Sequence, residues 1–85
     1  MNAARLVVAY QACEVADLAA AVVSLEDPTE ARQQAARVFA AAQQLVAAAN
    51  RLDSDELPAD PLQLFVYEHP EEAAEDVAEW VSRRR

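Results

Sequence analysis

Eighty-five residues with a formal net charge of −8 make one small acidic domain. Glycine is absent and every basic residue is Arg. Without glycine the positive-φ turns of β-hairpins are hard to make, and glycine-rich phosphate loops are excluded outright, so helices are the expected elements.

The first predicted helix runs from Asn2, a fitting N-cap, to about Leu25. Ala4, Val8, Gln11, Val15, Leu18, Val22 and Leu25 alternate by four and three, which places them on one stripe. Leu6, Tyr10 and Cys13 form a second patch on a roughly opposite side. Gln11, Glu14 and Asp17 interrupt the long apolar run, so no membrane span is expected. The apolar run Leu6–Tyr10 before Cys13 is also too short for a signal-peptide core.

Asp27-Pro28-Thr29-Glu30 is a helix start: an N-cap acid, Pro at the first helical position and Glu near the positive end of the dipole. The helix it opens, from Pro28 to Leu52, reads as the spine of the chain. Ala31, Ala35, Val38, Ala42, Leu45, Ala49 and Leu52 make an unbroken heptad seam, with small residues that let a neighbouring helix approach closely. Arg37, Gln44 and Arg51 line an expected wet face, and Phe39 and Val46 a further apolar flank. Two matching seams joined by a short link predict an antiparallel helical hairpin over residues 1–52.

Residues 53–69 read as an acidic loop, Asp53 to Asp60, followed by a short apolar segment from Pro61 to Tyr67. That segment fits one short helix after an Asp60 cap. Leu62, Leu64 and Val66 also alternate like a strand, but a lone strand has no partner in this chain, so the helix is preferred. Residues 70–85 predict a C-terminal helix with Pro70, Glu71 and Glu72 at its positive end and Arg83 to Arg85 at its negative end. Trp80, its largest side chain, is expected to pack on the hairpin beside Phe39 or Tyr10. The fold class is thus all-α: a single domain, with the C-terminal helix packed on a hairpin.

Of 46 hydrophobic residues 21 are Ala, so the core is poor in buried area. A monomer of this mass buries only about 63% of its unfolded surface, and a second copy joining it into a helical bundle would supply what is missing. A homodimer is therefore expected. Residues 53–85 hold ten acids and three Arg, against five acids and four Arg in residues 1–52. Such a C-terminal third repels nucleic acid, so direct binding to it is not expected. One cysteine allows no intrachain disulfide, and a reducing, cytoplasmic setting follows as the expectation.

No nucleophile in the chain has a companion base. Cys13 is flanked by Glu14 and Asp17, which disfavour the thiolate. His69 is a lone histidine before Pro70, without the further nitrogen or sulfur ligands that zinc prefers. No catalytic residue, metal or cofactor is expected. The leading expectation is a non-catalytic protein–protein interaction module, an adaptor, assembly subunit or small regulator, anchored by Leu6, Tyr10, Phe39, Val46 and Trp80. The alternative is an acidic inhibitor, antitoxin-like in role, that neutralises a basic protein through Glu71, Glu72, Glu75, Asp76 and Glu79.

Overall fold

A computed structural model describes residues 3–84; Asn2, read above as the first cap, lies outside them. Four α-helices pack together, and no strand occurs among the described residues. They are α1 (Ala3–Ala21), α2 (Pro28–Asn50), α3 (Pro61–Glu68) and α4 (Pro70–Arg83). The first predicted helix stops short of Leu25: a 3₁₀ turn covers Val22–Ser24, and Leu25 is extended.

The helix starts follow from local chemistry. The Asp27 carboxylate accepts the Thr29 N–H at 3.2 Å ahead of Pro28. The Asp60 carboxylate accepts from both Leu62 and Gln63, at 3.0 and 3.2 Å, ahead of Pro61. Each acid satisfies amide groups that the first turn leaves without an intrahelical partner. Pro61–Glu68 is a helix, as preferred over a strand. His69 breaks it from α4 with non-helical backbone (φ −134°, ψ 62°).

The organising element is α1, not α2 as the seam suggested. α1 packs on α2, on α3 and on α4, while α2 packs chiefly on α1. The buried apolar core is accordingly Leu6 and Val7 of α1, Ala48 of α2, Val66 of α3 and Ala73 of α4. Tyr10, Phe65, Tyr67, Ala74 and Val77 close around it.

On α2 the buried stripe is rolled from the predicted one. Gln34 and Ala48 are buried while Ala35 and Ala49 are exposed, and Leu52 beyond the helix is exposed too. Ala31, Val38 and Leu45 stay on the inner side, but the alternate positions are Gln34, Ala41 and Ala48 rather than Ala35, Ala42 and Ala49. The physical reason lies in three glutamines. Gln34 Nε2 donates to the Leu18 carbonyl at 3.0 Å, and Gln11 Nε2 to the Ala41 carbonyl at 3.2 Å. Gln63 Nε2 donates to the Gln44 carbonyl at 2.8 Å and reaches Gln11 Oε1 at 3.4 Å, while Arg51 Nη2 donates to Gln63 Oε1 at 3.0 Å. Gln63 is 1% exposed and Gln11 2%, yet no buried side-chain nitrogen or oxygen lacks a partner among the described residues. A satisfied amide can be buried without the desolvation cost that excludes an unsatisfied one.

The stretch Ala3–Ser24, 22 residues long, is by length and composition alone apolar enough to cross a membrane: an 18-residue window within it has a mean hydropathy of 1.7. This corrects the expectation that its polar residues disqualify it. In this fold Gln11 is bonded to α2 and α3, and Asp17 to α4.

Candidate functional site

The five expected anchors do not form one surface. Leu6 is 5% exposed, sealed in the core with Val66 and Ala73, so it cannot anchor a partner; the leftover patch of α1 is what the C-terminal third covers. Tyr10 is half-buried, its ring centroid 5.8 Å from that of Phe65. Trp80 is half-buried beside Tyr10 rather than Phe39, both lining one cleft. Phe39 and Val46 remain 65% and 59% exposed on α2.

Those two residues define the first candidate surface. Rolling the inner stripe to Gln34, Ala41 and Ala48 leaves Ala35, Phe39, Ala42, Val46 and Ala49 as a second apolar stripe, again spaced by four and three. Ala42, in the middle of the stripe, is half-buried; the others are exposed. Residues 31–52 contain three Arg and no acid at all, in a chain whose overall charge is −8. This face is therefore apolar and lacks the acids that elsewhere in the molecule repel another acidic body; Arg37 and Arg51 bond Gln34 and Gln63 on the inner side instead.

The second surface is a cleft of about 170 Å³ between α1 and α4. Tyr10, Cys13, Glu14 and Asp17 line it from α1, and Asp76, Val77, Glu79, Trp80 and Arg83 from α4. Spacing by three or four brings each set to one side of its helix. The Trp80 indole N–H donates to Asp17 Oδ1 at 2.9 Å, and Arg84 Nη2 donates to the same oxygen at 3.1 Å. The Arg84 guanidinium also lies over the Trp80 ring, 4.9 Å from its centroid. Burial, then the nearby charges of Asp76, Glu14 and Glu72, push the Tyr10 hydroxyl above its ordinary pKa. Burial, then Asp17, push the Cys13 thiol up in the same way. A raised thiol is a poor nucleophile at neutral pH.

Glu71, Glu72, Glu75, Asp76 and Glu79 are all exposed on α4, with Asp76 and Glu79 turned into the cleft. His69 is exposed and its ring lies 5.1 Å from Phe65. Among the described residues no group of three or more His, Cys, Asp or Glu is placed to hold a metal ion. The sequence reading missed Asp17 and Arg84 as members of one site. The available signal was the four-residue spacing of Trp80 and Arg84, which puts a cation over an aromatic ring on one helix face. No protein-family model matches this chain, and no curated protein or solved structure matches it either.

Proposed function

We propose that this chain is a non-catalytic protein–protein interaction module that pairs with a second copy of itself through the outer face of α2. In this reading α1 and α2 form an antiparallel hairpin, and two hairpins join into a helical bundle in the cytoplasm. The observation that carries it is the exposed stripe centred on Phe39 and Val46, in the longest stretch of the chain without an acid. Surface area supports the same reading. The chain exposes 5912 Å², whereas a compact monomer of 9.3 kDa exposes roughly 5,000 Å² by the usual mass scaling. The excess, about 900 Å², matches the roughly 800 Å² that each partner contributes to a standard interface. Its radius of gyration, 13.8 Å, also exceeds the roughly 12 Å of a compact globule of this length.

Light scattering tests the reading. The wild-type chain should run as a dimer, and Phe39→Glu or Val46→Glu as a monomer with unchanged far-UV circular dichroism. A wild-type monomer at high micromolar concentration overturns it.

A second reading is favoured by the exposed carboxylates of α4: the chain neutralises a basic protein through that face. Binding of that kind weakens steeply as salt rises, whereas apolar docking through α2 hardly changes.

A further inference from the structure

We propose that the α1–α4 cleft is a receptor for an arginine side chain presented by a basic partner protein, and that Arg84 is its built-in competitor. This inference makes the second reading above specific and is independent of the α2 face.

Three features of the cleft select a guanidinium. Trp80 supplies an aromatic wall, and its N–H to Asp17 at 2.9 Å fixes both the ring and the carboxylate in place. A planar cation can then stack on the ring and bond the acid at the same time, which a compact ammonium does less well. Arg84 does so within the chain: its guanidinium is 4.9 Å from the ring centroid and 3.1 Å from the Asp17 oxygen. The seat is thus built for the chemistry that already fills it.

The occupant is replaceable. Both members of the Arg84–Asp17 pair are about half exposed, at 51% and 49%, and such pairs hold weakly. Negative charge also remains in excess. Glu14, Asp76 and Glu79 line the same cleft, and among the described residues no ion pair engages them; Arg83 is the other cation at the rim. An incoming arginine takes over the seat on Trp80 and Asp17, and the surplus carboxylates attract the basic residues around it. Arg84 lowers the apparent affinity by the fraction of time it fills the seat.

Trp80 is the only tryptophan, so its fluorescence reports the cleft alone. The titrants are an acetylated, amidated tri-arginine peptide and its tri-lysine counterpart. The expected result is a saturable change in Trp80 emission with tri-arginine, and several-fold weaker binding of tri-lysine. Arg84→Ala should tighten tri-arginine binding about threefold or more. Asp17→Asn should abolish the response; should that variant fail to fold by circular dichroism, Glu14→Gln serves instead, with several-fold weaker binding expected. Peptide binding seen by calorimetry with no change in Trp80 emission and no effect of Arg84→Ala overturns the cleft, while leaving the broader acidic-face reading intact. Equal affinity for the two peptides overturns the arginine seat as well.

Discussion

Gln63→Leu is the substitution that most directly tests how the helices are held together. Leucine has nearly the volume of glutamine, so the change removes polar contacts without opening a cavity. Three bonds are lost: Nε2 to the Gln44 carbonyl at 2.8 Å, Nε2 to Gln11 Oε1 at 3.4 Å, and Arg51 Nη2 to Gln63 Oε1 at 3.0 Å. The oxygen of Gln11, a residue 2% exposed, is left buried without a partner, at a cost of about 1–3 kcal/mol. The Gln44 carbonyl and the half-buried Arg51 each lose one bond worth about 0.5–1.5 kcal/mol. Burying the leucine returns up to roughly 2 kcal/mol. The net loss is about 2 kcal/mol, against a total stability of roughly 4–13 kcal/mol for a domain of this length. Urea unfolding followed by far-UV circular dichroism should show the midpoint falling by roughly 2 M, given a slope near 1 kcal/mol per M. Gln43→Leu, at an exposed position of α2, is the control and should stay within about 0.5 kcal/mol of wild type. An equally stable or more stable Gln63→Leu chain would refute the amide network as the tie between α1, α2 and α3.

The register of α2 is checked by a matched pair: Ala48→Leu should lose about 1–3 kcal/mol through overpacking, while Ala40→Leu, exposed and off both stripes, should change stability by less than about 0.5 kcal/mol. Asp60→Ala removes the acceptor of two amide groups at the start of α3 and should cost about 1–2 kcal/mol in a urea melt. Tyr10 and Cys13 both hold their protons more tightly in the folded chain than in the unfolded one. The unfolded chain therefore loses protons first as pH rises, and stability should decline above about pH 9 in melts across the alkaline range, with Cys13→Ser and Tyr10→Phe flattening the decline. Cys13 should also react with a disulfide reagent more slowly at neutral pH in the native protein than in urea.

Helix starts were legible because capping is local chemistry. Asp27-Pro28 and Asp60-Pro61 each place an acceptor and a pre-set φ within three residues of the amides they serve. The short helix at Pro61–Glu68 followed from the lack of a partner strand. The register of α2 was not legible, and alanine is the reason. With Ala at 35, 36, 40, 41, 42, 47, 48 and 49, neighbouring stripes of that helix differ little in apolar area, so the hydrophobic pattern barely discriminates among them. The choice falls to glutamine, whose amide is buried or wet according to what the next helix places opposite it. Gln34 is buried because Leu18 offers a carbonyl; Gln33 beside it is exposed. The cleft was hidden for a similar reason, since Asp17 and Trp80 lie 63 positions apart and meet only when α4 lies on α1.

The central place of α1 has a consequence for how the protein is made. This helix leaves the ribosome before every surface that will cover it, and the contacts that seal Leu6 and Val7 come from as far along as Val66 and Ala73. Closure between such distant positions is slow compared with growth of a single helix, so the nascent chain shows an apolar rod to its surroundings until α4 has been synthesised. α2 can cover its own side of that rod in the interval, but whatever else binds the side that α3 and α4 will cover competes with the finished fold for the same side chains. Shortening the C-terminal end would uncover α1 again, and with it a segment whose composition suits oil as well as water.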